Sequence, residues 1–315
     1  MRILMLGGNG FVGRAVMADA LDQGAEVASF SRGKSGTDLP PEVTQLVGDR
    51  DTGDYAALRT GEWDVVVDLS GYQSKHVDDA MDVLGDRVGR YVFVSSHAVY
   101  VRDLPPGTDE NAARRPPLRA AAVLTNDTYG PCKVACEDDV LERYGDRATI
   151  VRPGKVTGPG DSTSTVVYWI RRGGRGGRVA LPTRPEQPLQ LIDSRDLGRL
   201  VVQLITDGRS GAFNAVGPFS TIAELIETAA ELSGTSVELV QVPVDAVPAR
   251  FPLVEAVEEA GERRRNPAKA RAAGMPVTPL RQTVADVLAW DRDRGEPPLD
   301  VGLSAEDEQK LLGQG

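Results

Sequence analysis

The feature that most constrains this chain is a cluster of glycines close to its start. Gly7, Gly10 and Gly13 follow an apolar segment, Arg2–Leu6, and open a segment with helical periodicity, Phe11–Gln23. A glycine loop between a strand and a helix lets the backbone approach a pyrophosphate closely, and the unpaired N–H groups of the helix favour the anion. The sequence therefore predicts a dinucleotide-binding turn, with a tight turn that binds nothing as the alternative. The expected contacts are Gly7, Gly10, Phe11, Val12 and Gly13.

Short apolar segments alternate with helical segments through the first half of the chain. The predicted strands after the first are Val27–Phe30, Gln45–Val47, Asp64–Leu69, Tyr91–Ser95 and Thr149–Val151, and the longest predicted helix is Asn126–Tyr144. Such alternation is typical of a parallel sheet that is covered by helices on both faces. We therefore predict an α/β fold, a Rossmann-type doubly wound parallel sheet with a smaller C-terminal substrate-binding lobe.

The composition changes between Gly154 and Gln190, where prolines and an arginine–glycine run, Arg171–Arg178, predict a loop-rich and partly mobile segment. Later predicted elements are a strand at Gln190–Asp193, helices at Leu197–Ile205, Ile222–Leu232, Glu255–Arg265 and Leu280–Trp290, and a tail helix capped by Ser304 and Asp307. We expect a dinucleotide-binding domain at 1–155 plus about 189–217. The substrate-binding lobe is expected at about 156–188 and 218–302, and the tail helix at 303–315.

Charge and composition narrow the class of partner. Asp and Glu number 46 against 36 Lys and Arg, which gives a net charge of −10 and argues against nucleic acid as the main partner. An apolar run of about 18 residues is lacking, so a membrane span is not expected. Cys132, Cys136, His76 and His97 lack the spacing of a metal site, and the cysteines are expected to be buried thiols. We expect a cytoplasmic protein whose partner is a small molecule.

The end of the second predicted strand indicates which dinucleotide is bound. NAD sites usually carry an acidic residue there for the ribose 2′-hydroxyl, whereas this chain has Ser31, followed by Arg32 and Lys34. A guanidinium can hold a 2′-phosphate through paired N–H donors, and a carboxylate would repel it. NADP is therefore preferred over NAD, with solvated loop charges as the alternative. Further cofactor contacts are expected from Asp49 and Arg50 beside the adenine, and from Leu69, Ser70 and Gly71.

Tyr129 and Lys133 lie four residues apart on the longest predicted helix, so they share one face. A nearby ammonium favours the phenolate, and we expect it to lower the pKa of Tyr129 toward the working pH, as suits a general acid or base. Pro131 is tolerated in the first turn of a helix, which places Tyr129 near the helix start. Ser95 and Ser96 end the fifth predicted strand, at the edge where doubly wound sheets bind ligands.

With these residues assembled, the chain resembles the short-chain dehydrogenase/reductase superfamily, and more closely the extended and atypical members grouped as NAD-dependent epimerases/dehydratases. The resemblance covers roughly residues 1–217. The motifs that carry it are Gly7–Gly13, Tyr91–Tyr100, Tyr129 with Lys133, Arg152-Pro153 and Gly158–Asp161.

The resemblance implies roles for single residues. Ser96 would hydrogen-bond the substrate oxygen, Tyr129 would exchange the proton, and Lys133 would hold the nicotinamide ribose and lower the tyrosine pKa. Pro153 would close over the nicotinamide, whose ring supplies the hydride chemistry. Family members often dimerise through the helices before and after the fifth strand, so a homodimer through about 74–85 and 126–144 is implied.

Three departures from the family pattern bear on the reaction. Dehydratases carry an acidic pair after the catalytic serine or threonine, where this chain has His97 and Ala98, so sugar 4,6-dehydration is not expected. Leu189 stands where nucleotide-sugar enzymes often carry an arginine that binds the sugar's diphosphate. This weakens the interpretation that the substrate is a nucleotide sugar, although Arg178 or Arg184 could substitute. The basic loop suits a reductase that exchanges its cofactor at each turnover.

These observations favour an NAD(P)-dependent oxidoreductase that transfers a hydride between the cofactor and a ketone or secondary alcohol of a small polar substrate. The alternative within the same fold is an NAD(P)-dependent epimerase of a sugar or nucleotide sugar. A third hypothesis is a non-catalytic NADP(H)-sensing or RNA-associated protein. His97 and Lys155 are candidate substrate contacts, with a structural histidine and a surface lysine as alternatives. Arg171–Arg178 is interpreted as a solvated loop, with attraction of an anionic substrate as the alternative.

Overall fold

The structure, a computed structural model, describes residues 1–34, 36, 38–121, 123–249, 251–254 and 264–313. The chain divides into two compact units, each assembled from three separated segments. Unit 1 comprises Met1–Gly154, Ser194–Val216 and Arg265–Pro276, and unit 2 comprises Lys155–Asp193, Gly217–Arg264 and Val277–Gly315. Each unit has its own hydrophobic core.

The elements are numbered along the chain. The strands are β1 (Arg2–Leu6), β2 (Glu26–Ser31), β3 (Thr44–Val47), β4 (Trp63–Asp68), β5 (Val88–Val94), β6 (Ala148–Pro153), β7 (Lys155–Thr157), β8 (Gly177–Leu181), β9 (Pro188–Leu189), β10 (Leu191–Asp193), β11 (Gly211–Ala215), β12 (Ser220–Thr221) and β13 (Val237–Gln241). The helices are α1 (Phe11–Asp22), α2 (Ser74–Leu84), α3 (Asn126–Tyr144), α4 (Thr165–Arg175), α5 (Ser194–Thr206), α6 (Ile222–Leu232), α7 (Ala268–Ala272), α8 (Leu280–Asp293) and α9 (Ala305–Leu312).

Unit 1 is built on one parallel sheet with the strand order β11-β6-β5-β4-β1-β2-β3. The order reverses between β1 and β4. Because crossovers between parallel strands are right-handed, the reversal puts α1 and α2 on opposite faces of the sheet. A crevice therefore opens at the carboxyl ends of β1 and β4, which is where such sheets bind ligands. The predicted doubly wound parallel fold is confirmed.

The core of unit 1 lies between the sheet and the helices α2 and α3. Leu4, Val66 and Phe93 from the strands pack with Met81 of α2 and Val140 of α3, and each is at most 2% exposed. Full burial of side chains of this size stabilises a fold by roughly 1.5–3 kcal/mol each. The same packing fixes α3, which carries Tyr129 and Lys133, against the end of β5.

Unit 2 contains three short strand pairs and a helical core. β7 pairs with β10 and β8 with β13, both in parallel, whereas β9 and β12 are antiparallel. Helices α4, α6 and α8 contribute most of the core, which includes Trp169 and Phe251. The indole Nε1 of Trp169 donates to the carbonyl oxygen of Pro252 at 2.6 Å, so the largest buried ring has its polar atom satisfied.

The segment between Gly154 and Gln190 was predicted as a loop, and that prediction is wrong. It contains the helix α4 and the strand β8, and the apolar residues Val166–Ile170 of α4 are fully or almost fully buried. One of the glycines that suggested a loop, Gly173, serves packing instead. A Cβ on Gly173 would lie 2.4 Å from the carbonyl oxygen of Ile226, so glycine lets α4 pack closely against α6.

The arginine–glycine run is likewise not a solvated loop. Arg171 makes a two-pronged ion pair with Asp291 at 2.8 Å for both bonds. Arg172 is 5% exposed and its Nε donates to the carboxylate of Glu308 on α9, at 2.6 and 2.8 Å. Removing one partner of such a buried pair destabilises a protein by about 3–5 kcal/mol. These two arginines therefore attach C-terminal helices to α4.

Several predicted boundaries differ from the structure in detail. Residues 265–276 belong to unit 1 and not to the predicted lobe, because the N–H of Asn266 donates to Thr108 at 2.9 Å and Lys269 Nζ donates to Ala212 at 2.7 Å. Ser304 caps α9 as predicted, but its hydroxyl, rather than its N–H, contacts the Asp307 carboxylate. Of the predicted helix Glu255–Arg265, residues 255–263 lie outside the described part of the chain.

Two further observations concern the cysteines and the apolar length of the helices. Cys132 and Cys136 are buried free thiols, as predicted. In the described ranges, no helix combines the length and the apolar character that crossing a bilayer requires.

Candidate functional site

The glycine turn lies between β1 and α1 at the crevice of the parallel sheet. Gly7 has a φ of +87°, and a Cβ there would lie 2.6 Å from the Cβ of Ser70, so only glycine fits. Gly10 caps α1 without a side-chain bond. Apart from its chain neighbours, the nearest described atom to a Cβ built on Gly10 is the Gly7 carbonyl oxygen, at 3.8 Å. The turn therefore leaves the start of α1 uncovered.

The start of α1 has the donors that an anion requires. The first bond within the helix runs from the N–H of Arg14 to the Gly10 carbonyl at 2.9 Å. The N–H groups of Phe11, Val12 and Gly13 precede that bond and have no partner within the helix. Together with the helix dipole they form a site for a phosphate or pyrophosphate.

A cavity of about 270 Å³ extends from the glycine turn across the ends of β1, β2 and β3. Of the predicted cofactor contacts, its lining includes Gly7, Gly10, Ser31, Arg32, Asp49, Arg50 and Ser70. It also includes residues that the sequence analysis did not single out as contacts, namely Asn9, Phe30, Gly33, Gly48, Asp51, Tyr72 and His76. The predicted contacts Phe11, Val12, Gly13, Leu69, Gly71, Lys133 and Pro153 lie outside this lining.

The wall at the end of β2 is basic. Arg32 and Lys34 both line the cavity and are exposed. The guanidinium of Arg32 lies 3.8 Å from the Asp51 carboxylate, and both side chains are more than half exposed. An exposed pair of this kind is weak, so Arg32 can exchange its carboxylate partner for a phosphate at little cost. This wall thus has two cations and, at Ser31, no acidic side chain.

The Arg50 side chain is bonded to other residues of the protein, whereas the sequence analysis predicts that it contacts an adenine. Its guanidinium makes a two-pronged ion pair with Asp68 at the end of β4, at 2.7 Å for both bonds, and donates to Ser70 Oγ at 2.9 Å. Asp68 is fully buried, and the Arg50 charge is the main influence that lowers its pKa, against the opposing effect of burial. Arg50 therefore joins the ends of β3 and β4 and fixes Ser70 against the glycine turn, and its prediction as an adenine contact stays a prediction.

Ser96 and Tyr129 meet beside the end of β5. Ser96 caps a 3₁₀ turn, His97–Val99, by accepting a bond from the N–H of Ala98 at 3.2 Å. Tyr129 is the fourth residue of α3, whose first residues are capped by Thr125. Gly130, the next residue of α3, packs against the Ala98 carbonyl in this turn, and the Ser96 side chain is near enough to the phenol to act against the rise in its pKa. The two motifs are far apart in the sequence and lie side by side in the structure.

Pro131 lies in the second turn of α3 and not, as predicted, in the first. A proline at this position cannot donate to the carbonyl of Asp127, four residues earlier. The guanidinium of Arg115 donates to that carbonyl instead, at 2.8 Å. The helix therefore continues through the proline with its backbone acceptor satisfied.

Lys133 is buried on the same helix. Its Nζ donates to the carbonyl oxygens of Gly71 and Val94, at 2.8 Å each, and lies 4.1 Å from the centre of the Phe93 ring. Its side chain thus joins the ends of β4 and β5 beneath Tyr72, whose ring centre is 5.6 Å from Nζ. Burial lowers the pKa of Lys133 to about 8. An ammonium has three donors, so one remains for a further acceptor after these two bonds.

The expected lowering of the tyrosine pKa is not observed. Burial, followed by the neighbouring Tyr72 phenol, raises the pKa of Tyr129 to about 12, and the Ser96 side chain opposes this rise. The ammonium of Lys133 is bonded to two backbone carbonyls instead of to the phenol. At neutral pH Tyr129 is therefore a neutral phenol that can donate a proton.

The remaining predicted residues have definite positions. His97 is half-buried in the turn after Ser96, and Pro153 is buried at the end of β6, opposite Ala215 of β11. Lys155, which begins β7 of unit 2, is half-buried and donates to Thr163 Oγ1 at 3.3 Å. Burial lowers the pKa of Lys155. The substrate roles of His97 and Lys155 stay predictions.

The residues present fit a nicotinamide dinucleotide. The uncovered start of α1, beside the tight turn that requires Gly7, supplies N–H donors for one phosphate group. The basic wall at Arg32 supplies positive charge for a second phosphate group. Tyr72 is the clearest residue that sequence reasoning missed. It follows Gly71 at the end of β4, and its position directly after a predicted ligand-binding strand end was the available signal. Its ring centre lies 6.5 Å from that of Tyr129.

Solved structures with this fold are known. A UDP-glucose 4-epimerase from Thermotoga maritima, solved with UDP-glucose, superposes with a TM-score of 0.73 at 19% identity, covering 93% of this chain and 99% of that one. A Thermus thermophilus UDP-glucose 4-epimerase in complex with NAD gives 0.70 at 18% identity, with the same coverage. At these identities the likeness establishes the fold.

The names of the curated relatives describe different activities. A chloroplast stem-loop binding protein of 41 kDa from Arabidopsis thaliana is 24% identical over 252 residues, which cover 74% of this chain and 63% of that protein. A 3-beta-hydroxysteroid dehydrogenase from Mycolicibacterium neoaurum is 29% identical over 188 residues, covering 51% and 49%. The chain thus spans between about half and two thirds of the length of these relatives.

A family model decides the classification. The description "NAD dependent epimerase/dehydratase family" matches residues 3–216, which is more than half of the chain. The match includes the glycine turn, the Ser96 strand end and the Tyr129–Lys133 helix. The chain therefore belongs to the NAD-dependent epimerase/dehydratase family.

Proposed function

We propose that this protein is an NAD(P)-dependent oxidoreductase that interconverts a ketone and a secondary alcohol on a small polar substrate. The observation that carries the proposal is the close packing of the Tyr129 helix on the turn that Ser96 caps, with the buried Lys133 bonded to the Val94 carbonyl beside them. A hydroxyl pair of this kind can hold a carbonyl oxygen and exchange a proton with it. It lies in the same unit as the cavity that fits the dinucleotide.

Each residue of the group has a separate task in this proposal. Ser96 donates to the substrate oxygen and orients it. Tyr129 is protonated at neutral pH and gives its proton to that oxygen during reduction. Lys133 offers its remaining N–H to a ribose hydroxyl and Pro153 bounds the nicotinamide side. The bound nicotinamide supplies or accepts the hydride.

NADP is the proposed cofactor, in preference to NAD. Support comes from Arg32 and Lys34 in the cavity wall and from Ser31 in the place of an acidic residue. A Thermus thermophilus relative of the same fold was solved with NAD, so the choice between the two dinucleotides depends on this loop. Titration of the purified protein with NADPH and NADH tests it. Tightly retained NAD would contradict the NADP preference.

The acid/base role is tested by Tyr129→Phe. General acid–base catalysis contributes about 10²–10⁴-fold, so turnover on a ketone panel that includes keto sugars and ketosteroids should fall by that factor. Binding of the dinucleotide should change less than twofold. Tyr144→Phe is a matched control, because the Tyr144 hydroxyl is buried on the same helix without a hydrogen-bond partner among the described residues. Full turnover by Tyr129→Phe would refute the role.

Epimerisation of a sugar or nucleotide sugar is the alternative within the same site. The solved UDP-glucose 4-epimerases support it through their fold. An epimerase returns the hydride to the same substrate, so it retains its cofactor and consumes no NADPH over many turnovers. Net oxidation of NADPH with the accumulation of an alcohol product supports the reductase instead.

RNA association is a third candidate, favoured by the Arabidopsis stem-loop binding relative. The net charge of −10 opposes it, because non-specific RNA affinity depends on neutralising phosphates. Retention of the protein on an RNA stem-loop at low salt, with loss as salt rises, would support it. We expect no retention at physiological salt.

The organisation of the molecule completes the proposal. Unit 1 serves as the dinucleotide-binding domain and unit 2 as the substrate-binding lobe. The protein is proposed to form a homodimer through α2 and α3, the helices used by members of the family. Sedimentation velocity of the purified chain tests the oligomeric state.

A further inference from the structure

The loop after β2 is tied back to the glycine turn by side chains that the proposed reaction does not use. Asn9, the middle residue of the turn, accepts a bond from Ser29 Oγ at 2.6 Å. Its Nδ2 donates to the carbonyl oxygen of Gly36 at 3.0 Å. The approach is close, because a Cβ on Gly36, which has a φ of +59°, would lie 2.5 Å from the Asn9 carbonyl oxygen.

Arg14 makes a second connection from the first turn of α1. Its Nε donates to the carbonyl oxygen of Asn9 at 3.3 Å. One terminal nitrogen donates to the carbonyl oxygen of Asp38 at 3.3 Å, and the other donates to the Asp38 carboxylate at 2.5 Å. One guanidinium thus contacts both the glycine turn and the far end of the loop. We call Asn9, Arg14 and Asp38 the clasp.

The cations of the cavity wall lie between the points that the clasp holds. Arg32 and Lys34 follow β2, whereas Gly36 and Asp38 are the residues bonded to Asn9 and Arg14. Arg32 and Lys34 are exposed, and their backbone position is therefore not fixed by core packing. The Gly7 N–H bond to the Phe30 carbonyl connects the start of this loop to the glycine turn, and the clasp connects its far end.

We propose that Asn9, Arg14 and Asp38 are positioning residues that hold Arg32 and Lys34 in place to select a 2′-phosphate over a 2′-hydroxyl. The inference rests on the proposed function, because it presumes that the cavity binds the adenosine part of a dinucleotide. Arg14 and Asp38 lie outside the cavity lining and act through the loop, and Asn9, which is part of the lining, acts through its bond to Gly36.

An effect of side-chain charge alone and an effect of loop positioning predict different changes in affinity, so suitable variants distinguish the two explanations. Asp38→Asn removes a negative charge near the basic loop and Arg14→Gln removes a positive one. Through-space electrostatics would raise affinity for a 2′-phosphate in the first variant and lower it in the second. Loss of the clasp would instead lower the affinity for the 2′-phosphate in both variants. A double variant should then be no worse than either single one, because both changes remove the same connection.

The experiment compares two probes that differ by one phosphate, adenosine 2′,5′-bisphosphate and 5′-AMP, by titration calorimetry on the full chain. We expect each single variant to reduce the ratio of the two affinities about fivefold, the size of one exposed ion pair. The affinity for 5′-AMP should change less than twofold. Asp38→Glu should recover part of the ratio.

Glu26→Gln is the matched control, since Glu26 is an exposed partner of Arg2 at 3.6 Å and lies at the opposite end of β2. It should leave the ratio unchanged. An unchanged or increased ratio in Asp38→Asn would overturn the positioning role and leave the proposed function intact. If the unaltered protein binds neither probe, the proposed function fails and the inference fails with it.

Discussion

Single residues show how burial changes the chemistry of this site. Lys133 has a pKa of about 8 in the folded chain against 10.5 for a free lysine, because burial penalises its charge. The buried ammonium is stabilised by two carbonyls and a ring, yet it still destabilises the fold at neutral pH. The cation is thus retained at the expense of stability, which the proposed contact of Lys133 with the cofactor ribose would explain.

Lys133→Met tests this cost through its dependence on pH. The unfolded chain binds more protons than the folded chain between pH 8 and 10.5, so the free energy of unfolding rises as the pH rises through that window. Between pH 7 and 9.5 the wild type should gain about 2 kcal/mol relative to Lys133→Met, measured by urea unfolding. Lys75→Met, at an exposed position, should show a flat difference. A flat difference for Lys133→Met would contradict the lowered pKa.

Residue identities could be predicted from the sequence more readily than their environments. Helical spacing correctly places Tyr129 and Lys133 on one helix, and the strand end correctly supplies Ser96. The direction of the Tyr129 pKa shift could not be predicted, because it depends on burial and on the neighbouring Tyr72 phenol, which are set by tertiary packing. The partners of Lys133 could not be predicted either, because they are backbone carbonyls of Gly71 and Val94, which every residue type carries and no sequence pattern marks.

At the scale of elements, the site depends on how closely α3 packs against the turn after β5. A Cβ on Gly130 would lie 2.1 Å from the carbonyl oxygen of Ala98, in the turn that Ser96 caps. Gly130 directly follows Tyr129. The absence of a side chain at this one position therefore sets the distance between the two elements that carry the hydroxyl pair.

Gly130→Ala should consequently separate Tyr129 from Ser96. Alanine favours a helix by about 1 kcal/mol over glycine, but here the added methyl group meets backbone that cannot rotate away. We expect lower stability by about 1–3 kcal/mol and at least a tenfold loss of turnover. Gly174→Ala in α4 is the control, because its Cβ would meet the hydroxyl of Ser233, which can rotate. Unchanged turnover in Gly130→Ala would show that the approach of α3 is not limiting.

Elements whose apolar residues recur with one clear period could be predicted from the sequence. Elements in which apolar runs are combined with glycines could not. α3 and α6 have the predicted bounds, since each combines helical periodicity with a threonine cap. α4 was missed because Val166–Ile170 is apolar without a period and the following glycines suggested a turn. Gly173 is required by close packing on α6, a tertiary contact that local propensity does not contain.

At the scale of the whole molecule, the cavity and the unit structure separate cofactor recognition from the rest of the chain. The residues that line the cavity all belong to unit 1. Unit 2 has its own core, and its tail helix α9 is attached by the buried Arg172–Glu308 pair. A ligand that fills only the adenosine part of the cavity should therefore stabilise unit 1 without direct contact to unit 2.

Hydrogen exchange with adenosine 2′,5′-bisphosphate tests this separation. Saturation at 100 times the dissociation constant stabilises the bound form by about 2.7 kcal/mol, so amides that exchange through opening of the site should slow up to about a hundredfold. We expect this for the glycine turn, Gly7–Gly13, and the end of β2. Amides of α9 exchange through opening of that helix alone and should keep their rates. Equal slowing in α9 would mean that the two units open together, and cofactor binding would then control the substrate lobe through global stability rather than through local contacts.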